Sequence, residues 1–128
     1  MNNQSFKDRT WWEKFRDAFV GLKLGVRGQS SFFLHVFSAA TVIVLAAILG
    51  VSLIEWCLLL LCIAGVLTAE MLNSALESMA KAITDQHDPH LGIALDVGSA
   101  AVLLASTGAA TVGTIIFANR LGMLVGWW

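Results

Sequence analysis

The chain has 128 residues, 57% of them hydrophobic and 13% charged, with a formal net charge of −1. That length suits one domain spanning 1–128, and a soluble domain of this size would expose more apolar surface than water tolerates, so the composition favours a membrane protein over a water-soluble enzyme. The balanced total charge names no partner by itself, and nucleic acid is not expected as one.

The first predicted element is a helix over about 10–28, "WWEKFRDAFVGLKLGV" at its centre. Trp11, Trp12, Phe15, Phe19, Leu22 and Val26 recur at helical spacing, and Glu13, Lys14, Arg16, Asp17 and Lys23 take other positions. Such a helix suits the membrane interface, aromatics down and charges up; the competing reading is a soluble helix packed on a partner. Tryptophans beside basic residues favour the interface. The first 30 residues hold no apolar core followed by a small-residue cleavage site, so the N-terminus is expected to be retained.

Residues 32–54 carry no Asp, Glu, Lys or Arg. They are long enough for a ~30 Å hydrocarbon core, which takes about 20 residues. A second span is predicted over 56–80, joined to the first by the short link "GVSLIEW" as an antiparallel hairpin. A polar link follows, "TDQHDPHLGIALD", with turn signals at Thr84-Asp85 and Asp88-Pro89. The third span is the uncharged run 97–119. The fold class is therefore an all-α membrane protein, three transmembrane helices plus an N-terminal amphipathic surface helix. Ala101, Ala105, Ala109 and Gly113 recur every four residues, a period that lets helix backbones approach in lipid and suggests a packed bundle or oligomer. Cys57 and Cys62 show no metal spacing and read as buried small hydrophobes.

Lys7, Arg9, Lys14, Arg16, Lys23 and Arg27 account for six of the eight basic residues. The N-terminus and the second link, which has Lys81, should therefore be cytoplasmic, and Arg120, Trp127 and Trp128 should lie at the far boundary.

Against this apolar background stands "AEMLNSALES". Offsets of three and seven put Glu70, Asn73 and Glu77 on one helix stripe. From Trp56, Glu70 lies ~21 Å and Glu77 ~31 Å along the helix. With Asp96 opening the third helix, these residues are expected to share a layer at the cytoplasmic edge. Ionised groups within a span cost roughly 2.5–3.5 kcal/mol each on insertion scales, so they call for a partner or a use. Carboxylate and carboxamide oxygens suit Mg²⁺, which usually also takes substrate phosphates, and a partly desolvated Glu can serve as a general base. The stripe could hold Mg²⁺-nucleotide beside a lipid hydroxyl, line an ion or proton path, or simply pair helices. Placement near one face rather than at mid-membrane favours interfacial chemistry.

Residues 70–77 match Glu-x-x-Asn-(Ser/Thr)-Ala-(Ile/Leu)-Glu, and residues 96–103 match Asp-x-(Gly/Ala)-(Ser/Ala)-(Ala/Gly)-Ala-Val-Leu. Together with "KFRDAFVGLK", these blocks resemble the small bacterial integral-membrane lipid kinases, diacylglycerol kinase and undecaprenol kinase, over roughly 14–117. The resemblance implies a homotrimer with active sites between subunits at the cytoplasmic face of the bacterial inner membrane. It implies transfer of the γ-phosphate of ATP, with Mg²⁺, to a membrane lipid hydroxyl. By the same resemblance Glu70 would be the general base, Glu77 a metal ligand, and Asn73 a positioning group. Asp96 and Ser99 would contact nucleotide or lipid.

Three positions depart from that pattern. Gln29 stands where the family has a metal-binding Glu, keeping a carbonyl oxygen without the charge. Leu95 stands where a Lys would reach the phosphates. His87 replaces an aromatic near the adenine and can still stack. Lys81, one turn past Glu77, is a substitute cation for phosphate; otherwise it forms a surface pair with Glu77, worth ~0.3–0.5 kcal/mol. His90 and Arg27 are weaker candidates, and His35 reads as a polar interface residue rather than a ligand. The reading is an ATP- and Mg²⁺-dependent diacylglycerol/undecaprenol kinase. Its rivals are a catalytically impaired relative serving as a lipid-binding scaffold, fed by Gln29 and Leu95, and a small ion-conducting oligomer.

Overall fold

The computed structural model describes residues 9–28 and 30–128. Four helices follow in order: α1 (Trp11–Gly28), α2 (Ser30–Leu49), α3 (Leu53–Ile83) and α4 (Pro89–Leu124). The last three are long and apolar enough to cross a membrane.

Each boundary has a local cause. Thr10 and Glu13 cap α1 reciprocally: the Thr10 backbone N–H donates to the Glu13 carboxylate at 2.9 Å, and the Glu13 N–H donates to the Thr10 hydroxyl at 3.3 Å. The α2–α3 link is shorter than expected. Gly50 adopts φ +62° just past α2, and the Val51 N–H reaches back to the Ala46 carbonyl at 3.3 Å, which closes the helix as a glycine-capped end. Ser52 then opens α3 in a capping box with Glu55.

The largest departure from expectation concerns the third span. The polar link was expected to run to Asp96, yet α4 already begins at Pro89. Asp88 is its N-cap, accepting from the backbone N–H groups of His90 at 2.8 Å and Leu91 at 3.1 Å. Proline at the first helical position donates no hydrogen bond that the helix needs, so Asp88-Pro89 is a helix start. Asp96 sits inside α4 rather than opening it.

Packing joins α3 and α4 most extensively, with α2 laid more lightly against both. A small core of Ala46, Val51, Leu59 and Ile116, flanked by Trp56 and Phe117, fills the end of the bundle away from α1. At that end the Arg120 guanidinium lies 3.4 Å from the Glu55 carboxylate. The chain end folds back there: the Trp128 indole N–H donates to Asn119 at 3.1 Å, and its ring covers Gly122, where a Cβ would collide with it. Of the small-residue stripe, Gly113 is buried while Ala101 is exposed.

Helix lengths set the height of everything else. At 1.5 Å per residue α2 is ~30 Å long, the thickness of a hydrocarbon core, while α3 and α4 are ~46 and ~54 Å. The first turns of α2 face Glu70 through Ser31 and His35. Roughly 20 Å of α3 therefore continues past the start of α2, and α3 and α4 form a two-helix stem at the α1 end.

Removing the Ser52 hydroxyl tests the hairpin. Ser52→Ala should cost about 0.5–2 kcal/mol, read as a lower midpoint of thermal unfolding in detergent; an unchanged midpoint would mean that Gly50 alone sets the turn.

Candidate active site

The three residues of the α3 stripe serve three different neighbours. Glu70, with 3% of its surface exposed, faces α2. The Ser31 hydroxyl donates to its Oε1 at 2.7 Å, and His35 Nε2 lies 3.4 Å from its Oε2. The carboxylate thus has a polar neighbour from α2 at each oxygen and a hydrogen bond at one, which lowers the cost of keeping it out of water.

One turn along, Asn73 is 7% exposed and lies against α4. A Cβ added at Gly98 would stand 2.5 Å from Asn73 Oδ1 and 3.0 Å from Leu76 Cδ1. Only glycine allows α4 to come this close, so the small residue of the "DVGSAAVL" block has a packing reason. The Asn73 amide donates to Glu77 Oε1 at 3.2 Å, while its Oδ1 is buried without a hydrogen-bond partner among the described residues.

Another turn along, Glu77 opens onto an open cleft of about 390 Å³ between the end of α3 and the start of α4. Lys81, His87 and Leu95 line the same cleft, so two of the sequence candidates for nucleotide contact, and the leucine that stands in for a lysine, come together beside Glu77. On the other side a groove of about 570 Å³ runs between α2, α3 and α4, with Leu34, His35 and Val42, then Ile63 and Val66, then Ala109 among its walls. It is predominantly apolar, and among the described residues His35 is its only titratable wall residue apart from the Cys62 thiol.

The remaining candidates lie elsewhere. Asp96 and Ser99 are exposed on α4, off the line Leu91, Leu95, Gly98 that faces α3. Glu70 and Glu77 do not occupy one level either, since seven residues of helix separate them by ~10 Å along the axis. Gln29, the second metal candidate, lies outside the described residues. Sequence reasoning passed over Ser31 and read His35 as a polar interface residue, without its partner Glu70. Their spacing of four puts them on one face of α2, at the end of the span where Glu70 was expected, and that was the available signal.

Among the described residues no three His, Cys, Asp or Glu side chains gather as a metal cage. The donor set instead fits a cation that arrives with phosphates. Mg²⁺ typically takes one or two carboxylates plus substrate phosphates and keeps several waters; Glu77 supplies a carboxylate, and Asn73 Oδ1 a buried oxygen with unmet hydrogen-bonding capacity.

The chain is thus a helical bundle with three helices long and apolar enough to cross a membrane, carrying a buried carboxylate, an apolar groove and a polar cleft. The chain belongs to the prokaryotic diacylglycerol kinase family, whose model matches residues 16–117. It is similar to the undecaprenol kinase of Bacillus subtilis (30% identical over 111 residues, covering 87% of this chain and 90% of that protein). It is also similar to a diacylglycerol kinase of Synechocystis sp. (36% identical over 100 residues), where the match covers 77% of this chain and 57% of the relative's length. The matched family segment contains Glu70, Asn73, Glu77, Ser31, His35 and the cleft.

Gly98→Ala tests the close approach. Overpacking of this kind costs about 1–3 kcal/mol, so the variant should unfold at lower temperature; unchanged thermal stability would show that Asn73 does not need the glycine.

Proposed function

We propose that the protein is a lipid kinase that transfers the γ-phosphate of ATP, with Mg²⁺, to the hydroxyl of a membrane lipid, diacylglycerol or undecaprenol. The observation that carries this reading is the position of Glu70: a buried carboxylate with an apolar groove on one side and, two turns along the same helix, a polar cleft holding Glu77 and Lys81. The family and the names of the relatives support it.

In this mechanism the lipid enters sideways from the bilayer, its chain toward the groove and its hydroxyl toward Glu70. Glu70 takes the hydroxyl proton as the oxygen forms a bond to the γ-phosphorus and the bond to the ADP oxygen breaks. Glu77 would hold the metal, positioned by the Asn73 amide that donates to its Oε1; Mg²⁺ bound there would neutralise charge on the phosphates. Lys81 adds positive charge along the cleft, and His87 stacks near the adenine. Glu70 therefore acts on the lipid and Glu77 on the nucleotide.

The basic N-terminal residues favour placing the α1 end in the cytoplasm of a bacterial cell. There α1 would lie along the bilayer surface. Trp11, Trp12, Phe15 and Phe19 are exposed, and Lys14 Nζ sits 4.8 Å above the Trp11 ring, a pairing suited to the headgroup layer. A homotrimer would give Asp96 and Ser99, which face away from their own α3, a neighbouring copy's site to complete.

The test is turnover in mixed micelles with Mg-ATP, with diacylglycerol and undecaprenol offered separately. One lipid or both should be phosphorylated, and Glu70→Gln should lower kcat by at least about 100-fold, the contribution expected of a general base. Equal turnover by wild type and variant would overturn the reading. Leu95→Lys should lower the KM for ATP, because it adds a cation to the wall that Lys81 already lines; an unchanged KM would mean the phosphates lie outside this cleft.

A further inference from the structure

We infer that His35 is a positioning residue for Glu70, holding the carboxylate at the polar wall of the lipid groove so that it meets the incoming hydroxyl in one orientation. The inference rests on the lipid-kinase reading above and adds a residue to it.

Three observations converge on His35. Its Nε2 stands 3.4 Å from Glu70 Oε2, across from the Ser31 hydroxyl on Oε1, so the carboxylate is bracketed from α2 on both oxygens. Its side chain is 20% exposed where that of Glu70 is 4%. And His35, not Glu70, is among the residues that line the groove. The imidazole therefore stands between the carboxylate and the space a lipid chain would fill.

That position has a chemical consequence. A carboxylate has four lone-pair sites on two oxygens. With the Ser31 hydroxyl on one oxygen and the imidazole beside the other, rotation of the carboxyl group is restrained and one acceptor direction is left on each oxygen, so the substrate meets a fixed carboxylate. Contacts of this kind are often loose before substrate arrives and tighten in the reacting complex, and a 3.4 Å separation leaves room for that. In an apolar groove, a phenylalanine or leucine at position 35 would avoid the cost of burying an imidazole. A purely packing role for position 35 would be served at least as well by either.

The experiment compares wild type, His35→Phe and His35→Gln in mixed micelles with Mg-ATP and whichever lipid the wild type phosphorylates. Thermal unfolding of each variant is followed in parallel. Misplacing a catalytic group by about 1 Å can cost on the order of 10²-fold. His35→Phe should therefore lose about 100-fold in kcat with the KM for ATP unchanged. His35→Gln keeps an N–H donor and should recover most of that loss while unfolding in the same range as His35→Phe. Wild-type kcat in His35→Phe overturns the inference, as does equal loss in both variants. Turnover that depends on Glu70 but ignores His35 removes this inference alone. Turnover indifferent to Glu70, or none by the wild type, removes the kinase reading and this inference with it.

Discussion

The contact between Glu70 and the first turns of α2 governs the rest of the molecule. A carboxylate taken out of water is costly unless it is paired and hydrogen-bonded, and Glu70 is almost wholly out of contact with solvent. The Ser31 hydroxyl and the His35 imidazole offset that cost. Because α2 packs lightly on α3 elsewhere, this polar contact, with the Gly50–Ser52 turn at the opposite end, fixes the height of α2. A helix of ~30 Å that starts level with Glu70 puts that residue at a bilayer boundary. The depth of the carboxylate is thus set by the α2 side chains that contact it.

From that level the α3–α4 stem carries the site outward. Gly98 brings the two helices close enough for Asn73 to be buried between them, and Asn73 passes a hydrogen bond on to Glu77 at the edge of the cleft. A side chain at position 98 would push α4 away and detach the buried half of the site from the polar half. The early start of α4 matters for the same reason: the turns from Pro89 onward supply Leu91, Gly92 and Leu95 as one wall of the cleft.

Much of this was legible in the residues. Two of the three predicted spans, 56–80 and 97–119, lie inside α3 and α4, whereas the first, 32–54, overruns α2, which ends at Leu49 where Gly50 turns the chain. The stripe of Glu70, Asn73 and Glu77 follows from spacing alone, since offsets of three and seven share a helix face. The start of α4 differs from expectation because Asp88-Pro89 is a turn signal in sequence, whereas an acceptor side chain followed by proline is also how a helix begins. Ser31 and the pairing of His35 with Glu70 are not legible because Glu70 lies 39 residues from Ser31 along the chain, and periodicity within one helix carries no record of what the opposite helix presents. Asp96 and Ser99 belong to a recognisable block, yet it is Gly98 that faces α3. Their neighbours in sequence share the block without sharing the face, as a helix turns about 100° per residue.

The proposed kinase reaction divides labour between two carboxylates on one helix: Glu70 would meet the lipid hydroxyl and Glu77 the metal-bound nucleotide. Electron paramagnetic resonance of Mn²⁺-ATP titrated onto the protein in lipid nanodiscs separates the two directly. Glu77→Gln should weaken binding of the complex severely, while Glu70→Gln should bind it as the wild type does. Loss of binding in Glu70→Gln, or full binding in Glu77→Gln, would contradict the division.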